Sequence, residues 1–303
     1  RLPFLLASKI LDQIPSEFAQ IRTSGKEVNK LTRQLFPGDA ADPSSLDRVP
    51  EAGIHIVKFS DEALKHQPPE HPAVALVRPV NMIPRAVQEK IIRLWDQMKA
   101  EGLELTGHSK GDNRSSTPAL HCGVWHLSSK DPMVTSDTRK QNPHVEALLK
   151  EFMNLIKTHV APIVRGAIRS YSPEIWPKQE RAHQYVKEKI RSKDKDIFDS
   201  ADFGGAFFTL AMKEGSSERL HLDFNDHPHS LTWLIPFGDW TGGDFVVPQL
   251  GEVIPVRPGQ ILGAMTRLLI HCGTPITEGR RLVLTCFTDH TLVCHSERYH
   301  GRR

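Results

Sequence analysis

Five of the eight residues in HLDFNDHP, His221 to Pro228, carry polar groups able to ligate a metal or hold a proton. On an extended strand alternate residues share a face, so His221 and Asp223 point the same way and can reach one ion together. A neutral imidazole and a carboxylate suit iron(II), manganese or zinc. Taken alone, a His-x-Asp triplet recurs by chance and decides nothing. Further along, LLIHCGTPITEGRRLVLTCF supplies His271 and, ten residues later, Arg281. Two histidines and one carboxylate leave coordination positions open, the arrangement of non-haem iron(II) oxygenases. Read as a regular strand, RLVLTCFTD places Arg281, Val283, Thr285, Phe287 and Asp289 on one face. Leu282, Leu284 and Cys286 then occupy the other, and Arg280 points away. An inward arginine is costly to bury without an anion. A dicarboxylate that chelates the metal at one end and is gripped bidentately by Arg281 at the other removes that cost. The competing reading is a satisfied salt bridge in the core.

The surrounding sequence has to position these groups. From Phe203 the texture is that of short strands: GGAFFTLAM, HSLTWLIPF, DFVVPQ, EVIPVRP, QILGAM and RLVLTCFTD, rich in β-branched and aromatic residues. Glycine- and proline-containing turns separate them closely, which predicts a sandwich or barrel. Upstream, PRAVQEKIIRLWDQMKAEG sets Val87, Ile91, Trp95 and Met98 at helical spacing, with Pro84 near the start and Gly102 as a stop. HVEALLKEFMNLIKTHVAPIVRGAIRSY predicts a longer amphipathic helix, kinked or broken at Pro162. TGHSKGDNRSSTPALHCGVWHLSSKD reads as loop and short strand. Residues to about Pro69 read as a peripheral wrap, with Leu5, Ile10 and Ile14 at the spacing of a short helix. The expected class is α+β: a jelly roll with N-terminal helices packed on it. The expected organisation is one domain over 1–303, with 1–202 mainly helical and loop support, 203–290 the jelly-roll core and 291–303 a tail.

Composition narrows the partners. At 303 residues with 39% hydrophobic content the chain can bury a sizeable core. No apolar run is long enough to span a bilayer, so no membrane partner is expected. The net charge of +3 permits a polyanionic partner without requiring one. Four cysteines, Cys122, Cys272, Cys286 and Cys294, form no CxxC pair, which favours a reducing compartment, cytosol or nucleus.

His221, Asp223, His271 and Arg281, with the intervening GGDFVVPQLGEVIPVRPGQILGAM, resemble the iron(II)/2-oxoglutarate-dependent dioxygenases. The resemblance spans roughly Phe203 to His290 and implies a double-stranded β-helix. Within that superfamily HLDFNDHPHSLTWLIPFGDWTGGDF, with Phe287 and Asp289 beyond the arginine, is most similar to the TET/JBP nucleic-acid dioxygenases, particularly fungal TET-like members. The resemblance implies iron(II), 2-oxoglutarate and dioxygen, with ascorbate as reductant in vitro. It implies a flipped methylated base in DNA as substrate, Phe287 stacking on it and Asp226 and Asp289 meeting its polar edge. An N-terminal asparagine also contacts the base in that family, and Asn113 is its placement here. Some members carry His where Asp289 stands, which leaves the preferred base open. The implied reaction oxidises 5-methylcytosine to its hydroxymethyl form and further, by a nuclear monomer. N6-methyladenine is the alternative, since a carboxylate accepts from either exocyclic amine. A protein-residue hydroxylase or a small-molecule oxygenase would share the same jelly roll and cosubstrate.

The remaining candidates have ordinary readings beside functional ones. Phe287 is either a base platform or core, and Asp289 either a base contact or a strand-end cap. The basic run WPKQERAHQYVKEKIRSKDKD is either a phosphate track or a solvated helix. CHSERYH lacks the paired spacing of a zinc site, and His227 and His229 read as spectators.

Overall fold

The computed structural model describes residues 7–22, 24–38, 42–80, 82–105, 117–126, 129–191, 193 and 195–301. Its strands are β1 (Lys9–Leu11), β2 (Asp47–Arg48), β3 (His55–Phe59), β4 (Val74–Arg78), β5 (Leu120–Trp125), β6 (Met133–Val134) and β7 (Thr209–Glu214). They continue as β8 (Thr232–Gly242), β9 (Phe245–Val247), β10 (Glu252–Ile254), β11 (Leu262–Ala264), β12 (Cys272–Gly273) and β13 (Ile276–Phe287). One sheet runs β1-β3-β4-β11-β8-β13-β7-β5-β6 and the other β12-β9-β10-β2.

Within the larger sheet β7, β13, β8 and β11 are consecutive and antiparallel. In the smaller one the His221 backbone pairs with His271 beside β12, β12 pairs with β9, and β9 with β10. From β7 to β13 the chain crosses repeatedly between the two sheets, which is the winding of a double-stranded β-helix. The jelly-roll core expected from Phe203 onward is therefore present.

The helices are α1 (Gly25–Leu35), α2 (Asp61–Leu64), α3 (Arg85–Ala100), α4 (Ser136–Arg139), α5 (Pro143–Leu155), α6 (Ala161–Tyr171), α7 (Trp176–Arg191), α8 (Lys195–Ala201) and α9 (His290–His300). Leu282, Leu284 and Cys286 of β13 are almost wholly buried in one cluster with Trp95 and Met98 of α3 and Phe152 of α5. Each such side chain withdrawn from water stabilises the fold by about 1.5–3 kcal/mol. The alternation that buries one face of β13 under helices turns Arg281, Val283, Thr285 and Phe287 to the other face.

Three expectations need correction. Pro162 neither breaks nor ends its helix: a π turn over Ile156–Val160 joins α5 to α6, and the proline falls in the first turn of α6, where its missing N–H costs nothing. The region before 203 is more than helical support, because β1, β3 and β4 extend one edge of the large sheet and β5 and β6 the other. Ile10 lies in strand β1, parallel to β3, and not in a helix. Arg78 at the end of β4 is fully buried and donates to the carbonyls of Pro255, Pro50 and Gly53, tying the N-terminal strands to the core. Finally, 291–303 holds most of α9, joined to α7 by Arg181–Glu297 and by the Tyr299 hydroxyl donating to Glu188.

Candidate metal and cosubstrate site

His221 and His271 exchange both backbone hydrogen bonds, each N–H donating to the other's carbonyl at 3.0 Å. Directly opposed residues of an antiparallel pair present their side chains on the same face. The two imidazoles accordingly lie 4.2 Å apart between centroids. Asp223, two residues on, is fixed by its N–H donating to Thr266 at 3.1 Å. Its carboxylate comes within 3.9 Å of His221 Nε2 and 3.6 Å of His271 Nε2. Ligand atoms of all three lie within 4.8 Å of one another.

The donor set fits a divalent metal in a further respect. His221 Nδ1 lies 2.8 Å from the Arg219 carbonyl, and His271 Nδ1 lies 3.0 Å from the Leu269 carbonyl. A carbonyl only accepts, so each Nδ1 carries the proton and each Nε2 turns its lone pair toward Asp223. Such outer contacts fix tautomer and ring orientation in metal-ligating histidines. Phe245 stacks on His271 at 5.1 Å and holds the ring from the side.

Arg281 is 7% exposed and donates one hydrogen bond, from Nη1 to the Gly215 carbonyl at 3.2 Å. Its buried Nε has no partner among the described residues. The guanidinium lies 5.7 Å from the centre of the Trp240 ring. Burial holds its pKa down to about 10, with Asp244 raising it and Arg257 lowering it further. Asp244 is itself bound to Arg48 and, at 3.0 Å, to Arg257. Gly243, at φ +64°, makes room for the arginine: a Cβ there would sit 2.9 Å from Arg281 Cδ. Arg280 leaves the opposite face and pairs with Asp96 and Glu214 at 2.6 and 2.7 Å. A buried fork lacking an anion is the environment a carboxylate ligand completes.

The base-contact candidates divide. Phe287 is half-buried at the end of β13, on the Arg281 face. Asp226 is buried, and one carboxylate oxygen accepts from both Thr232 and Thr266, the latter at 3.0 Å. Asp289, expected at the edge of a base, is instead the N-cap of α9. Its Oδ1 accepts from the Leu292 N–H at 2.7 Å and its Oδ2 from the His126 N–H at 3.1 Å. The period-2 pattern fails there because the strand ends at Phe287 and the chain turns into a helix. Burial raises the Asp289 pKa to about 6, with those backbone amides opposing it. Asn113 lies outside the described residues.

Two features escaped the sequence reading. His227 and His229 belong to a chain of rings, His71–His229–His227–His290, with centroids 5.2, 5.6 and 5.6 Å apart in that order. Burial first, and then neighbouring cations and imidazoles, lower His227 to about 3 and His229 to about 4. No local pattern marks that cluster, since its members come from three separate segments. The other is α1, which the segment TSGKE signals: Ser24 caps it by accepting from the Glu27 N–H at 3.2 Å. The basic run is paired in part: on α7 Lys178 with Glu70, Arg181 with Glu297 and Lys189 with Asp131, and beyond the helix Lys193 with Asp131. Those four cations tie the run to acids of other segments.

No family model matches the chain, and no curated protein matches it by sequence. Among solved structures it is similar to NgTET1 in complex with 5mC DNA, at 14% identity and TM-score 0.49 over 85% of this chain and 88% of that one. It is similar to OsALKBH1 at 15% identity and TM-score 0.41, over 72% of this chain and 97% of that one. It is also similar to a Pseudomonas putida prolyl-4-hydroxylase at 13% identity and TM-score 0.37, over 70% of this chain and 91% of that one. Likenesses at this level carry no substrate over to the present chain, which is a double-stranded β-helix with a His-Asp-His cluster and a buried arginine on β13.

Proposed function

We propose that the protein is an iron(II)- and 2-oxoglutarate-dependent dioxygenase that oxidises the methyl group of a modified DNA base, 5-methylcytosine first. The observations that carry the oxygenase reading are the convergence of His221, Asp223 and His271 and the buried guanidinium of Arg281, whose Nε has no partner among the described residues. Iron(II) with 2-oxoglutarate supplies, when bound, the oxidation of an unactivated C–H bond by dioxygen. The chain's own residues contribute placement. His221 and His271 offer Nε2 lone pairs, Asp223 an anionic oxygen, and Arg281 two parallel N–H donors for the distal carboxylate of the cosubstrate. Trp240, whose ring centre lies 5.7 Å from the guanidinium, and Val283, next on the same face of β13, are both buried, and such dry surroundings strengthen a charged contact.

The base reading rests on the resemblance of the His221–Phe245 segment and on Phe287, whose half-open ring lies in line with Arg281 on β13. An aromatic face stacks on any flipped base. Asp226, buried and oriented by two threonine hydroxyls on one oxygen, is the carboxylate that would meet an exocyclic amine. The substrate in that case is chromosomal, and the site of action the nucleus.

The test is mass spectrometry of nucleosides after incubation with iron(II), 2-oxoglutarate and ascorbate. Oligonucleotides carrying 5-methylcytosine, N6-methyladenine or no modification are compared, with His221→Ala as the blank. Hydroxymethylcytosine formed by the native chain alone is the expected result. Succinate produced without any oxidised nucleoside would keep the oxygenase and discard the base.

A further inference from the structure

One cationic surface borders the site without any role in the reading above. Arg267 follows Thr266, whose carbonyl anchors Asp223 and whose hydroxyl donates to Asp226, so it stands on the rim of the centre. Its guanidinium lies 5.5 Å from the centre of the Phe224 ring, between the two acids in sequence. Among the described residues neither Arg267 nor Arg22 makes a hydrogen bond or ion pair. Burial lowers the Arg267 pKa and Arg22 lowers it further, so the two cations face each other electrostatically; Asp226 opposes them. Both also act on His290, which places them on one side of the same rim.

From there α1 continues the charge. Its inner face, Val28 and Leu31, packs with Leu220, Leu222 and Phe224 around the strand that bears His221 and Asp223. Its outer face exposes Lys26, Asn29, Lys30, Arg33 and Gln34, which line a shallow depression of about 460 Å³. Helical rise separates Lys26 from Lys30 by about 6 Å and Lys30 from Arg33 by about 4.5 Å. The sole acid of the helix is Glu27. No lysine or arginine on this face pairs with a carboxylate among the described residues, in contrast with α7.

We propose that Arg267, Arg22 and the outer face of α1 form one phosphodiester track, along which a polynucleotide strand leaves the reacting centre. The track deepens the DNA reading, on which it rests. Cations held apart from carboxylates keep their full attraction for phosphate, and the Asn29 and Gln34 amides add neutral donors. Phosphate contacts position the strand without reading sequence, which leaves the choice of base to the pocket.

The experiment follows fluorescence anisotropy of a labelled single-stranded oligonucleotide of unmodified bases across a salt series. Native protein is compared with Arg22→Gln/Arg267→Gln and with Lys26→Gln/Lys30→Gln/Arg33→Gln. Glutamine preserves helix propensity, so the α1 triple variant keeps the test alive should the rim variant unfold. Each cation removed should flatten the slope of log K against log salt by about 0.7, giving about 1.4 for the pair and about 2 for the triple. A variant slope equal to the native one overturns the track, as does native protein that fails to bind. Poly-glutamate competing as well as DNA at equal charge overturns it too, since the surface would then fit an acidic polypeptide. Inorganic phosphate and free nucleotide should compete only at far higher concentration, because neither spans the track. Binding that depends on these residues in a protein that oxidises no methylated base would leave the track standing and remove the proposed activity alone.

Discussion

Replacing Arg281 with methionine should move two properties in opposite directions. In the free protein the guanidinium is 7% exposed, makes one hydrogen bond and keeps a partnerless Nε. The fall of its pKa from 12.5 to about 10 corresponds to about 3 kcal/mol of cost for holding the charge there. A buried charge replaced by an apolar chain of similar length leaves stability equal or higher. Thermal unfolding of the metal-free variant should therefore occur at the native temperature or a few degrees above it. Binding of 2-oxoglutarate should collapse, because its distal carboxylate would be buried with no partner. Truncating one member of a buried charge pair costs about 2–5 kcal/mol, or roughly 30- to 5000-fold in affinity. Arg281→Lys keeps the charge but not the fork and should fall between. The assay is calorimetric titration of 2-oxoglutarate into manganese-loaded protein, with thermal scans with and without both ligands. A methionine variant that binds 2-oxoglutarate within threefold of native would refute the assignment. One that unfolds many degrees lower would show that the arginine is an ordinary core residue.

Asp223→Ala should weaken manganese binding by roughly 100-fold or more, taking as a floor the loss caused by removing outer contacts to metal ligands; calorimetry showing native affinity would discard the triad. Phe287→Ala should spare succinate formed without DNA while lowering DNA oxidation roughly 5- to 150-fold, as the loss of about 1–3 kcal/mol of stacking requires; equal loss of both would mark it as core. His229 is lowered from 6.5 to about 4, so the unfolded chain binds more protons below pH 6.5, and stability is lost as pH falls from there toward 4. His229→Gln should recover part of that loss, reduced by solvent screening because the ring is half exposed, read as denaturant midpoints at pH 7 and 4; an unchanged acid slope contradicts it. Asp289 has the opposite sign: raised from 3.8 to about 6, it favours the fold below pH 3.8 and loses that contribution as pH rises through 6. Relative to native, Asp289→Asn should therefore gain stability over that window, by on the order of 3 kcal/mol, and a difference independent of pH counts against the buried cap.

Much of the site was legible in one dimension because its logic is local or alternating. His221 and Asp223 share a face by the period of a strand, and Arg281 lies inward on the alternation of β13. Residue chemistry alone was enough to propose a metal for two imidazoles and a carboxylate, and a dicarboxylate for an inward arginine. Helix α3 was readable for the same reason, its apolar period bounded by Pro84 and Gly102. Where the period changes, the reading failed. Asp289 continues the alternation of its strand on paper, yet two residues past Phe287 the backbone becomes a helix and its carboxylate turns to cap it. β3 looked peripheral and β4 was not marked as a strand, because the pairing that ties them to the core, β4 with β11, joins segments far apart in sequence and carries no local signature.

By itself, then, the sequence determined the donor types, the two strand faces and a core of short strands, all consequences of short-range spacing, while the double-stranded winding was implied only by family resemblance. Only the tertiary structure decided which charges remain open. It paired Lys178, Arg181 and Lys189 of α7 with acids from distant segments, and among the described residues left the cations of α1, Arg22 and Arg267 without ion pairs near the strand of His221 and Asp223. The physical reason is that a charge's availability depends on what lies within a few ångströms of it in space, and the sequence order of lysines and arginines does not encode that distance.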